Sequence, residues 1–88
     1  MRLFSAHGAA LFYIARHPDC TVGDLSENLG VTRRTIWGVV GDLRRRALIN
    51  VRRDGRIHHY YIRAEAPFPD PVLSPMTLGH VFGALLTS

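Results

Sequence analysis

The chain has 88 residues, 47% of them hydrophobic and 20% charged, with a net charge of +4. That composition excludes a disordered chain. A chain this short folds as one domain and buries only about 60–65% of its unfolded surface, which excludes a regulatory domain fused to an effector-binding domain and argues against a deep-pocketed enzyme. All eleven Lys/Arg residues are Arg. Arg makes bidentate contacts to phosphate and guanine edges where Lys offers a point charge, although a codon bias toward Arg explains the missing Lys equally well. The positive balance favours an anionic partner, nucleic acid ahead of a membrane surface.

A single cysteine, Cys20, excludes an intrachain disulfide and fits a reducing compartment. Met1–Arg16 lacks the basic start, long apolar run and small-residue cleavage site of a signal peptide. No uncharged apolar run reaches about 18 residues. The expectation is a cytoplasmic protein that does not engage a membrane.

Taken in chain order, Leu3, Leu11 and Ile14 recur with Ala6, Ala10 and Ala15 at helical spacing, predicting a first helix over Arg2–His17 that Pro18 stops. His17-Pro18-Asp19-Cys20 reads as a short connection. Thr21 is a candidate N-cap with Asp24 three residues on, a near-match to a capping box. Val22, Leu25 and Leu29 then define about two helical turns, which Gly30 ends. Thr32 caps a third helix whose stripe of Ile36, Val39, Val40 and Leu43 runs to near Arg46. Arg44, Arg45 and Arg46 fall at the negative end of its dipole.

The period then changes from 3.6 to 2. Ile49, Val51 and Arg53 alternate with Asn50 and Arg52, Asp54-Gly55 signals a type I′ hairpin, and Arg56–Ile62 returns as a second strand. A two-residue loop at Asp54-Gly55 sets Arg53 opposite Arg56 and Ile49 opposite Tyr60, with like charges at the tip that a polyanion would relieve. Residues 66–75 hold Pro67, Pro69, Pro71 and Pro75 and predict an extended, semi-rigid connector. Thr77 caps a last helix with an apolar stripe of Leu78, Val81, Phe82, Leu85 and Leu86. That stripe needs cover, from the chain's own first helix or from a second copy; the dimer contact is the expectation.

The informative window is Val22–Val39. Leu25, Leu29, Ile36 and Val39 fall where a helix-turn-helix needs a shared core. Ser26 is small where the helices approach, Gly30 supplies the turn and Val31 plugs the corner. With Ile36 set at 0° and 100° per residue, the face opposite the core carries Arg34, Gly38, Gly41 and Arg45, with Trp37 on one flank. Glycine in a helix costs about 1 kcal/mol relative to Ala, so Gly38 and Gly41 mark a bare surface that another backbone or a DNA strand can approach, with a tight internal helix contact or mere tolerance as the alternatives. Arg33 and Arg34, in the first turn, are the candidates for base-edge contact, since recognition helices present their N-terminal residues. Thr21, Thr32 and Thr35 are candidate phosphate contacts at helix N-termini. Trp37 is read as either a sugar or thymine-methyl contact or a partly buried edge of the core. Arg44, Arg45 and Arg46 are read as phosphate contacts, dipole complements or partners of Asp42, with one of them, Arg45, expected to matter for DNA, and Arg52, Arg53 and Arg56 on the wing are read as backbone contacts.

The sequence resembles the small winged helix-turn-helix transcriptional regulators of the MarR/ArsR type. The resemblance rests on Ala15 through His17-Pro18-Asp19, on Leu25 through Leu29-Gly30-Val31-Thr32-Arg33-Arg34, on Asp42-Leu43, and on Arg53-Asp54-Gly55-Arg56 with Tyr60, and it covers roughly 6–63. It implies an α+β, mostly α fold: three helices and a two-stranded hairpin wing, followed by a C-terminal dimerisation helix. It implies that the third helix enters the major groove, that the wing touches backbone or minor groove, and that terminal helices build a dimer.

The expected organisation is 1–66 as a DNA-binding domain, 67–75 as connector and 76–88 as a dimer contact, with Leu3, Leu78, Val81, Phe82, Leu85 and Leu86 at that interface. The expected function is a sequence-specific, dimeric repressor of transcription, its partners a roughly palindromic duplex and a second copy of itself. A winged-helix protein-interaction scaffold is the alternative. No cofactor is expected. His58 and His59 alternate on a strand, and His17-x-x-Cys20 offers two ligands only, so no metal site is expected. No nucleophile triad, carboxylate pair or phosphate loop suggests an enzyme.

Overall fold

A computed structural model describes residues 5–70 and 72–87, with side chains as far as Leu86. The predicted start of the first helix at Arg2, the interface residue Leu3 and Pro71 of the connector lie outside the described residues. The elements are α1 (Ala6–Arg16), α2 (Val22–Leu29), α3 (Arg33–Arg45), β1 (Ile49–Asp54), β2 (Ile57–Ile62) and α4 (Leu78–Thr87).

The caps expected at Thr21 and Thr32 are formed. Ser5, which the sequence reading places inside the first helix, is instead its extended N-cap and accepts from the Gly8 amide, so α1 starts at Ala6. Thr21 and Asp24 exchange side-chain and backbone bonds in a full capping box, and Thr32 accepts from the Thr35 amide. Gly30 ends α2 in the left-handed conformation, φ 68°, where a side chain would be strained. The Ser26 hydroxyl donates to the Val31 carbonyl at 2.6 Å, tying the turn to α2. The end of α3 carries a feature the sequence does not announce. Ala47 takes a left-handed φ of 57°, with its amide on Arg44 and the Leu48 amide on Leu43. This is a Schellman ending with alanine where glycine is usual, fastened by burial of both Leu43 and Leu48.

One core joins all the helices to the hairpin. Leu11, Ile14, Leu25, Ile36, Val40, Leu43 and Tyr60 are fully buried in it. The hairpin register differs from the expected one. Ile49 pairs with Ile62, Val51 with Tyr60, Arg53 with His58 and Asp54 with Ile57, so the loop is Gly55-Arg56 and Arg53 does not face Arg56. The slip is two residues, which leaves every side chain on its original face; alternation therefore cannot distinguish the registers. Turn geometry can. Gly55 occupies the first loop position at φ 62°, and Arg56 has no positive φ, the pattern of a II′ turn rather than I′. The connection after α1 also does more than link: the Asp19 amide donates to Tyr60, and the Tyr60 amide to Cys20, so this segment pairs with β2 through a single bridge.

The proline-rich segment is not extended. It leaves and re-enters the core through a bridge between Pro67 and Thr77, with the Phe68 amide on Met76 and the Leu78 amide on Ala66. Ala66 and Phe68 are buried. Phe68 lies 5.7 Å from the ring of Phe82, which meets Phe12 of α1 edge-on at 5.8 Å. Hydrophobic burial of this aromatic trio outweighs the extended preference of the prolines. It also corrects the interface expectation for two residues. Leu78 and Phe82 are 0% and 1% exposed within their own chain and have no surface left for a second copy. Leu85 and Leu86 keep 48% and 37% of theirs, and Val81 is half-buried.

Candidate nucleic-acid interface

The helix-turn-helix positions α3 by burying one side of it. Ile36, Val39, Val40 and Leu43 face the core, which forces residues 34, 38, 41 and 45 outward. Arg33, Arg34, Trp37, Gly38, Arg44 and Arg45 are all exposed. A Cβ built on Gly38 meets nothing within 4 Å, so no internal helix contact explains that glycine. Arg34 has no hydrogen bond or ion pair among the described residues. Thr32 and Thr35 are exposed and share a hydroxyl–hydroxyl bond of 3.0 Å at the helix start.

The other candidates are more constrained. Arg45 is paired with Asp42 one turn earlier, and Asp42 also meets His7 Nε2 of α1 at 2.7 Å. The bond from His7, with Arg45 nearby, holds the Asp42 carboxyl below the usual carboxylate range. Arg52 is engaged by Asp19 at 2.8 Å and by the Tyr61 hydroxyl at 3.2 Å. Arg53 and Arg56 project from the wing without partners among the described residues. The hydroxyl of Thr21 serves the capping box, yet Thr21 also lines a cleft between α2, α3 and the wing.

That cleft has a volume of about 300 Å³ and is bordered by Thr21, Gly23, Arg33, Trp37, Arg56 and His58. The Arg33 guanidinium lies over the first turn of α2, where a Cβ on Gly23 would come within 3.1 Å of it. Trp37 is 51% exposed and rests edge-on against His58, ring centroids 5.9 Å apart. It is thus neither a core residue nor fully free, and sequence periodicity, which placed it on a flank, could not show that the wing supports it. Sequence reasoning missed His58 and Gly23 as members of this cleft, because strand alternation reveals a face but not what stands opposite. Cys20 is buried, and burial pushes its thiol up to about 11, which leaves little thiolate for chemistry near neutrality.

A profile of the MarR family matches residues 5–57, from the N-cap of α1 to the first residue of β2. The chain belongs to the MarR family. The match supports the MarR side of the MarR/ArsR resemblance; the ArsR side gains no separate support from it. No curated protein matches the chain. Among solved structures, this MarR-family chain is similar to Streptococcus pneumoniae FabT in complex with DNA, at 25% identity and a TM-score of 0.62, over 64% of this chain and 41% of that one. It is similar to a mutant of Staphylococcus aureus MepR bound to an oligodeoxyribonucleotide, at 20% identity and a TM-score of 0.66, over 93% and 56%. Reduced HlyU from Vibrio cholerae gives 17% identity and a TM-score of 0.65, over 96% and 79%. The chain thus spans about half the length of the first two. The shared architecture is the winged helix.

Proposed function

We propose that this MarR-family chain is a sequence-specific, double-stranded DNA-binding regulator of transcription, acting as a dimeric repressor. In this reading residues 1–66 form the DNA-binding unit. Helix α3 enters the major groove, where Arg33 and Arg34 read base edges, and the wing carries Arg53 and Arg56 to backbone or minor groove. Residues 76–88 contact a second copy through Val81, Leu85 and Leu86, so that two α3 helices meet successive major grooves of a roughly palindromic site, about 34 Å apart or a small multiple.

The observation that carries the reading is the outward face of α3: Arg34 beside a Gly38 with open space above it, with Arg56 of the wing sharing a cleft with Arg33 and Trp37 of the same helix. A scaffold has no need to gather cations around a bare helix face. The two DNA-bound relatives support the same partner.

The test is selection of bound duplexes from a random pool at stated salt, followed by titration of the winner against a scrambled duplex. Enrichment of a palindrome, with affinity falling steeply as salt rises, is expected. Absence of duplex binding at low salt would overturn the reading in favour of the scaffold.

A further inference from the structure

We propose that the cleft between α3 and the wing seats one backbone phosphate of the duplex, and that His58 takes up a proton as the phosphate enters, making DNA binding proton-linked. The inference rests on the DNA-binding reading and deepens it.

The two neighbouring histidines stand in opposite surroundings. His59, on the outer face of the wing, lies 3.2 Å from the Asp19 carboxylate and 2.9 Å from the Asp19 carbonyl. His58, on the inner face, forms no ion pair among the described residues, and the cleft it lines includes no carboxylate. Arg53 is directly across from it on β1. Arg33 and Trp37 reach the cleft from α3, and Arg56 from the hairpin loop. From α2 the cleft receives Thr21, Val22 and Gly23, while Asp24 is turned back onto the Thr21 amide. Nδ1 of His58 is buried with no hydrogen-bond partner among the described residues, so nothing accepts a proton placed there.

The side chains that line the cleft include two arginines and no anion. A phosphodiester in the cleft supplies one. Its oxygens accept from Arg33, Arg56 and an imidazolium together, and the anion favours the charged ring. An imidazole titrates within the range where such linkage is measurable. One proton taken up per site makes affinity fall by up to about tenfold per pH unit between the free and the phosphate-bound titrations of the ring, and no further above them.

The experiment measures the Kd of wild-type protein and of His58→Asn for one selected duplex from pH 5.5 to 8.5 at constant ionic strength, with circular dichroism checking the fold of both. Asparagine keeps a polar group near the Nδ1 position but cannot titrate. Wild-type affinity should weaken several-fold between pH 6 and 8, while His58→Asn gives a flat profile. Binding by wild type without pH dependence, or an undiminished slope in His58→Asn, overturns the inference and leaves the DNA-binding reading standing. Absence of binding at every pH overturns both. If His58→Asn fails to fold, His58→Gln is read against the same criteria, and the number of protons wild type takes up on binding, from calorimetry in two buffers of different ionisation heat, must be near zero for the inference to fail.

Discussion

The Tyr61 hydroxyl donates to Asp19 Oδ1 at 2.5 Å, fastening the outer face of the wing to the connection between α1 and α2. Arg52 completes the clamp, donating to both residues. Asp19 holds a left-handed φ of 75° to reach this position, a conformation aspartate tolerates better than most residues. The bonds from Tyr61 and then Arg52 hold its carboxyl below the usual carboxylate range. A lowered folded-state pKa contributes stability that is fully present above the unfolded value, about 3.9, and is lost as pH falls through the folded one. Asp19→Asn should loosen the wing at neutral pH, seen as faster amide exchange in β1 and β2 with the α3 amides unchanged. Unchanged exchange in the wing would show that the clamp is dispensable.

Tyr60 is fully buried, and its hydroxyl has no hydrogen-bond partner among the described residues. Burial raises its pKa, and the desolvated hydroxyl returns little. Tyr60→Phe is expected to leave stability unchanged or raise it by up to ~1 kcal/mol. Urea denaturation decides it: a loss of more than ~1 kcal/mol would mean that the hydroxyl is satisfied.

Phe82 and Leu86 lie on one helix but should behave differently. Phe82→Ala empties the aromatic cluster with Phe12 and Phe68 and should cost about 3–5 kcal/mol, a large share of the stability of so small a domain. Leu86→Glu, at an exposed position, should leave the melting temperature nearly unchanged and weaken self-association in sedimentation equilibrium. Equal effects of the two on folding, with none on association, would remove α4 from the proposed dimer contact.

Gly38→Ala should stabilise the free protein by about 1 kcal/mol from helix propensity, because the added methyl meets open space. The same methyl should weaken duplex binding if the groove lies against this turn. A melting curve and a duplex titration on one preparation suffice; higher stability with undiminished affinity would take Gly38 out of the interface.

Arg34→Ala should reduce discrimination between the selected and a scrambled duplex by ~1–3 kcal/mol. Arg45→Ala should change it less, since Arg45 is already engaged by Asp42. Arg53→Ala should lower affinity for both duplexes alike and reduce the salt slope by ~1. A larger effect on discrimination at Arg45 than at Arg34 would reverse these roles.

Much of the architecture follows from local chemistry. The Thr21–Asp24 capping box, the Thr32 cap, the Gly30 stop and the apolar stripe from Ile36 to Leu43 are readable because each depends on residues within a turn or two of one another. They suffice to orient α3, and hence to say that Arg34 and Gly38 point away from the core. Long-range pairing is where reading along the chain gave out. The hairpin slipped by two residues because both registers preserve its faces. The Pro67–Pro75 segment folded back because Phe68 found Phe82, and Leu78 and Phe82 turned inward because α1 was within reach. Cys20 met Tyr60 across the fold, bringing Asp19 to Tyr61 and His59. The cleft around His58 arises only when α2, α3 and the wing converge. Spacing encodes which side of an element is apolar, since that is a property of its own periodicity; which partner covers it depends on distances between segments far apart in sequence, and those exist only in the packed molecule.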